Sequence, residues 1–280
     1  MAIKILTDSI SDLPPGVAKE LDIKQIPILI RWGEDIFRDG IDMSAEQFYE
    51  RLQHSKVPPA TSLPSPKTFA EAFDELAEKA SGIAAIMVSS RLSGTYDVAS
   101  QSVGLMKRTC PVKVIDSRLG AMAEGLVVLQ AARAAQAGAA LSEVVETAVK
   151  TIQEVALIGT LETLEYLKRG GRIGKAQAFV GSMLKINPII SLKNGAVEPA
   201  GRARTRSGAI ERLYEFAGSY SRIYEMAVED AACADDAERL VKKLRGIWPQ
   251  TTIFRSTATP AIGAHTGPGL LVLSIRGERK

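Results

Sequence analysis

The sequence predicts an α/β protein: an N-terminal unit with a parallel sheet flanked by helices, followed by an α+β unit with a mixed sheet. Three observations carry this expectation. Short β-branched runs alternate with helical periods through the first half, the pattern of βα units. In the second half Asn194-Gly195 stands between two short apolar runs, a hairpin signal that requires antiparallel pairing. A chain of 280 residues is also long enough for two domains of ordinary size.

Taken in order, Ile3–Leu6, Ile26–Ile30, Ile83–Val88 and Val112–Ile115 read as the strands of the first unit. Its helices begin after Pro14, after Ser44, after Ser65, around Tyr96–Arg108 and from Gly120 onward. Ser44 with Gln47 makes a capping box, in which each side chain satisfies a backbone N–H that the helix leaves open. Ser65 followed by Pro66 is a second start signal, because proline at the first helical position forfeits no hydrogen bond. The proline-rich stretch Ser55–Pro66 between them is a loop carrying Thr61, Ser62 and Ser65.

Beyond a boundary placed between Thr151 and Gly159, helical segments near Leu161–Lys168 and Ala176–Leu184 precede Pro188–Leu192 and Ala196–Pro199, the arms of the hairpin. Helices over Ser207–Ala217 and Asp235–Leu244 and strands over Tyr224–Val228, Thr252–Arg255 and Leu270–Ile275 complete the second unit. The division is therefore 1–155 and 156–280.

Composition excludes several functions. A net charge of +3 is too small for a nucleic-acid surface or a polybasic membrane anchor, and 5% aromatic residues leave little for base stacking. No apolar run approaches the roughly twenty residues that cross a bilayer, and no signal-peptide pattern precedes Ile3. Cys110 and Cys233 stand far apart with no Cys-x-x-Cys spacing, which argues against a disulfide framework or thiolate metal site and for a reducing cytoplasm. His54 and His265 are the only histidines, too few for a His-rich metal centre, so no metal is expected.

Ligands of open parallel sheets bind outside the carboxyl ends of the strands. Those ends here carry Thr7-Asp8-Ser9, Ser89-Ser90 and Asp116-Ser117, and Ser93 and Thr95 bracket Gly94 where a helix begins. Free N–H groups and the helix dipole favour an anion at such a place. Each hydroxyl alone is explained as a cap; together they indicate a site. Gly170-Gly171-Arg172-Ile173-Gly174 lacks the Gly-Lys-Ser/Thr of a nucleotide loop. Its arginine suits a carboxylate or phosphate, and a helix C-cap followed by a surface arginine explains it equally well. Arg202, Arg204 and Arg206 alternate as on one face of a strand, either a solvated face or a docking patch. His265 is held among glycines, close to a ligand or to backbone, whereas His54 reads as surface. Ser93 and His265 leave a hydrolytic dyad open, although no Gly-x-Ser-x-Gly elbow accompanies them.

Five motifs in order resemble the DegV family: Thr7-Asp8-Ser9 with Asp12-Leu13, Thr61 through Pro66, Ser90 through Tyr96, Leu167 through Gly174, and Gly263 through Gly269. The resemblance spans essentially the whole chain. It implies a cytoplasmic, non-catalytic subunit of a fatty acid kinase system, a carrier that encloses a long-chain, palmitate-like fatty acid without other cofactor. The carrier would show the carboxylate to a separate ATP-dependent fatty acid kinase, which makes an acyl phosphate, and transient membrane contact is compatible with that task. By the same resemblance Thr61, Ser62, Ser93, Gly94 and His265 contact the carboxylate. Arg172, Arg202 and Arg204 lie near the site mouth, where the kinase docks. The first unit then binds the lipid and the second closes the site. Leu63 stands where the family commonly has glutamine, and Asn187 where lysine is common. A buried carboxylate needs several donors, which the hydroxyls and histidine supply. A palmitate-sized tail contributes roughly ten kcal/mol gross, at about 0.8 kcal/mol per methylene. The alternative is a Ser/His-dependent hydrolase or a small-molecule phosphotransferase.

Overall fold

The computed structural model describes residues 2–179 and 186–280. Along the chain run β1 (Ala2–Asp8), α1 (Pro15–Glu20), β2 (Ile23–Ile26), β3 (Leu29–Trp32), β4 (Asp35–Arg38), α2 (Ala45–His54), β5 (Ala60–Ser62) and α3 (Pro66–Ala77). Next come β6 (Ala80–Met87), α4 (Thr95–Ser102), β7 (Val112–Asp116), α5 (Ala121–Gln136), α6 (Leu141–Glu154), β8 (Val155–Thr160) and α7 (Glu165–Arg169). The remainder is β9 (Asn187–Lys193), β10 (Ala196–Ala203), α8 (Arg206–Ala217), β11 (Tyr220–Asp230), α9 (Ala234–Ile247), β12 (Thr252–Thr257), α10 (Pro260–Thr266) and β13 (Leu271–Arg279).

Strands β2-β1-β6-β7 form a parallel sheet. Its side chains sort by the two-residue period of a strand. Ile5, Ala84 and Ile86 join the core around α5, while Leu6, Ala85 and Met87 pack with Phe69 and Phe73 of α3. Helices on both faces explain why β6 is buried without a break from Gly82 to Met87. The second sheet, β10-β9-β8-β13-β11-β12, is mixed: β11 and β12 run parallel and its other pairs antiparallel. Its outer face carries Met226, Leu271 and Leu273 into a core with Leu213 of α8 and Leu240 of α9. Leu157, Ala227 and Val272 on its inner face share the core of α5 instead. That helix lies between the two sheets and is buried from Ala121 through Leu129, as expected of a helix apolar on all sides.

The predicted caps form. Ser44 Oγ accepts the Gln47 N–H at 3.2 Å, Gln47 Oε1 accepts the Ser44 N–H at 2.9 Å, and Ser65 Oγ accepts the Thr68 N–H at 3.1 Å. The Asn194-Gly195 hairpin joins β9 to β10, both of its turn residues at positive φ.

Three readings change. Ile26–Ile30 is not one strand: β2 ends at Ile26, and after Pro27 and Ile28 the chain turns into β3, which pairs with β4 and β5 in a separate antiparallel sheet. Proline, with no N–H to give, marks the break. The helix placed near Leu161–Lys168 is the shorter α7, and that near Ala176–Leu184 begins as a 3-10 turn over Gly174–Phe179, its remainder falling outside the described residues. Arg202, Arg204 and Arg206 do not share a strand face, because β10 ends at Ala203: Arg202 is on the strand, Arg204 lies in the bend after it, and Arg206 opens α8 with its Nε 2.7 Å from Asp236 Oδ2.

Candidate functional site

Where the carboxyl edge of the parallel sheet faces the inner side of the mixed sheet, a cleft of about 220 Å³ opens. Both halves of the chain build it. Ile10 and Val88 come from the ends of β1 and β6, and Leu157, Ile190, Val197 and Val272 from the mixed sheet. The lining is mostly apolar; its polar members are Thr61, Ser62, Ser93, Arg172, His265 and Thr266, with the bare backbone of Gly94, and the Thr61–His265 contact and the Arg172–Gly170 bond beside His265 draw several of them together. A pocket of this composition suits an amphiphile, with an apolar body and a polar head that fixes its direction.

Each polar residue is delivered by a different local device. Thr61 and Ser62 ride on β5, pinned to β3 by the Ile30–Thr61 and Leu29–Ser62 pairs. Ser93 and Gly94 form the turn into α4, and Ser93 Oγ lies 2.8 Å from Thr95 Oγ1. A Cβ at Gly94 would stand 3.0 Å from Leu63 Cδ1, so that leucine, itself 40% exposed, rests against bare backbone. Arg172 follows α7 and donates from Nε to Leu92 O (2.9 Å) and from Nη1 to Gly170 O (2.6 Å).

His265 closes the group from the last turn of α10, and its Nε2 lies 2.8 Å from Thr61 Oγ1, across 204 residues of sequence. Its Nδ1 is buried without a hydrogen-bond partner against Gly170, where a Cβ would overlap the ring. An orphaned acceptor is tolerated better than an orphaned N–H. The favoured tautomer therefore carries its proton on Nε2 and donates to Thr61 Oγ1, leaving the threonine hydroxyl proton free for an anion in the cleft. Burial, and then the charge of Arg172, hold the imidazole down to about 4. At neutral pH His265 is uncharged, and Arg172 is the cation among the polar residues of the cleft.

Other predicted rim residues are structural. Asp8 lies outside the cleft and binds two of its walls, accepting N–H groups from Ile10 (3.0 Å) and Val88 (2.9 Å). Burial raises its carboxyl to about 7. Ser89 Oγ donates to Gly195 O at 2.8 Å, tying the hairpin to the first half, and Ser90 Oγ donates to Asp116 at 2.6 Å. Of the serines at those strand ends and the α4 turn, Ser93 is the one that reaches the cleft. Arg202 and Arg204 are exposed and line no part of it. His54 is exposed at the end of α2. Among the described residues no cluster of His, Cys, Asp and Glu could hold a metal ion, and no helix is long and apolar enough to cross a membrane.

The aliphatic wall was not visible in the sequence, since its residues share the composition of any core. Leu63, which departs from the family pattern, lines the cleft beside Gly94.

Known proteins share this fold. A DegV domain-containing protein of Streptomyces coelicolor is 37% identical over 273 residues, covering 96% of each chain. Protein DegV of Bacillus subtilis is 30% identical over 275 residues, covering 97% of this chain and 98% of its own. Among solved structures, a DegV family protein from Thermus thermophilus, described by its fatty acid binding, superposes with a TM-score of 0.91 at 29% identity, over 99% of this chain and all of the other. DegV of Bacillus subtilis, described as a fatty acid binding protein, gives the same TM-score at 28% identity and the same coverage. The sequence model of the DegV family, described as uncharacterised protein, matches residues 2–278, and the chain belongs to that family.

Proposed function

We propose that this protein is a carrier that buries a long acyl chain in the cleft and presents the carboxylate, at the Thr61–His265 contact, to a partner ATP-dependent kinase for acyl-phosphate formation. The observation that carries the reading is a polar group in a mostly apolar cleft: Thr61 and His265 in contact, Arg172 bonded to Gly170 beside that histidine, and Ser62, Ser93 and Gly94 in the same lining. Relatives of nearly equal length and the same fold are described as fatty acid binding proteins. The aliphatic wall supplies most of the affinity and the donors set orientation. Arg202 and Arg204, exposed and without an intramolecular hydrogen bond or ion pair among the described residues, are free for the kinase. In this reading residues 1–155 contribute the lipid seat and 156–280 close over it, in the cytoplasm, with no catalytic residue in this chain. Contact with a membrane during loading is transient.

The hydrolase alternative is disfavoured by who faces whom. His265 meets Thr61 rather than Ser93, Ser93 Oγ meets Thr95, and no carboxylate orients Nδ1, so the base–acid chain of a triad is missing.

Native mass spectrometry of protein purified from bacteria, with extraction of what it carries, tests the carrier reading. A stoichiometric fatty acid is expected; a protein that is empty and also refuses added palmitate ends it. Arg172 lines the cleft itself, so Arg172→Ala is expected to weaken fatty acid binding by about tenfold, the worth of one hydrogen bond to a charged group. Titration of delipidated protein checks this, and unchanged affinity would confine Arg172 to the rim.

A further inference from the structure

His265 is held by a helix that does not cap itself. Thr259, the N-cap of α10, makes no side-chain cap bond; its hydroxyl faces Asp12 and Asp39 instead. The open N–H groups are taken instead by acids from the other half of the chain. Thr259 N donates to Asp12 Oδ1 at 3.3 Å and Ala261 N to Asp39 Oδ1 at 3.1 Å. Asp39 is only 2% exposed, and its second oxygen accepts from Ser9 Oγ at 2.6 Å. Ser9 Oγ in turn accepts the N–H of Ile28, a cleft residue, at 3.0 Å. Asp39 does not touch the cleft, yet it joins the end of β1, the entry to β3 and the first turn of α10. Ala261 and His265 are four residues apart, so they share one helix face, and both line the cleft.

We propose that Asp39 is a positioning residue of the head-group site: by capping α10 from outside the helix it fixes the angle at which His265 meets Thr61. The affinity part of the test rests on the fatty acid reading; the imidazole part does not. A carboxylate at a helix start is stabilising in any protein. What separates positioning from stability alone is a change felt at the far end of α10.

The chain has two histidines, one buried in the site and one exposed at His54, so imidazole NMR reports His265 with an internal reference. In Asp39→Ala the His265 midpoint, about 4 in the parent protein, is expected to rise by about one pH unit or more toward the ordinary histidine value as the ring loosens into water, with His54 unmoved. Palmitate affinity is expected to fall by about tenfold, near 1.4 kcal/mol. Asp39→Asn, which keeps an oxygen for Ala261 and can donate to Ser9 Oγ, should restore most of both. A folded Asp39→Ala protein with an unmoved His265 midpoint overturns the proposal. If that variant does not fold, Ser9→Ala, which strips one donor from Asp39, is expected to shift the same midpoint in the same direction, and no shift overturns it. A shifted midpoint in a protein that binds no palmitate leaves the positioning role standing and sinks the fatty acid reading.

Discussion

Gly170→Ala is expected to reduce fatty acid affinity by about a hundredfold or more, near 2.7 kcal/mol, while the protein still folds. The backbone at Gly170, with φ of −74°, is open to any residue, so the added methyl meets no torsional objection. It does meet the His265 ring, closer than the 3.0 Å that real Cβ contacts essentially never breach. The ring is half-buried, with its Nδ1 enclosed and Thr61 at its other nitrogen, so the added methyl displaces it at the expense of the Nε2–Thr61 contact. The neighbouring glycine makes the contrast. Gly171 has φ of +72° and nothing near its missing Cβ. Gly171→Ala should therefore cost about 1 kcal/mol of stability, through the left-handed backbone alone, and leave affinity unchanged. Parallel melts and palmitate titrations of the two variants check both halves. Equal loss of affinity in both would remove Gly170 from the site.

Stability is expected to fall as pH rises from about 4 to about 7, the reverse of ordinary acid denaturation. Burial raises Asp8 to about 7 and Asp39 to about 6 from an ordinary 3.8. Between those values the native state holds protons that the unfolded state has released, so each unit of rising pH favours unfolding. The loss is on the order of 4 kcal/mol for Asp8 and 3 kcal/mol for Asp39, at 1.36 kcal/mol per unit. Burial shifts Asp12, Glu124 and Glu229 upward as well. Asp12 and Glu229 are adjacent, and a proton kept on Asp12 lets it donate to the glutamate; Asp12 Oδ2 and Glu229 Oε1 have no other partner. His265 acts oppositely. Lowered to about 4 from 6.5, it adds roughly 3 kcal/mol as pH rises through that window. One histidine against five carboxyls leaves the slope downward. Asp42, lowered to about 2 by hydrogen bonds from Arg38, works only below the window. Urea melts across pH 4–8 should show the midpoint drop, and Asp8→Asn should flatten its upper part. A midpoint that climbs steadily to pH 8 is incompatible with these buried acids.

Much of the fold was legible because local signals and tertiary demands agree. The Ser44–Gln47 box, the Ser65-Pro66 start and the Asn194-Gly195 turn are chemical instructions that hold at short range, and all three are obeyed. What failed to show was set by distant partners. The strand β8 follows α6 without an intervening residue, so neither glycine nor proline punctuates the change. Among the glycines around His265, Gly263 sits inside α10. Its missing Cβ leaves room for Phe48 and Tyr49, so this glycine marks close packing rather than a turn. At the site, the residues given by resemblance as carboxylate contacts, Thr61, Ser62, Ser93, Gly94 and His265, all line one cleft. The tail wall was illegible for a physical reason: Leu157 or Val272 facing a cleft differs in no local property from the same residue facing another side chain. The serines just past β1 and β6 point the opposite way, since Ser9, Ser89 and Ser90 bond to Asp39, Gly195 and Asp116 instead of lining the cleft.

The place of β13 has a consequence for how the protein is made. Residues 271–279 lie between β8 and β11, pairing with both, so the strands synthesised before them have a gap at the middle of their sheet. His265 likewise arrives some two hundred residues after its partner Thr61. A nascent chain can finish the parallel sheet while still on the ribosome, yet it has neither the cleft wall at Val272 nor the head-group seat until those late segments emerge. On the carrier reading, lipid capture waits for completion of translation, and a chain stopped before residue 260 is expected to carry no cargo.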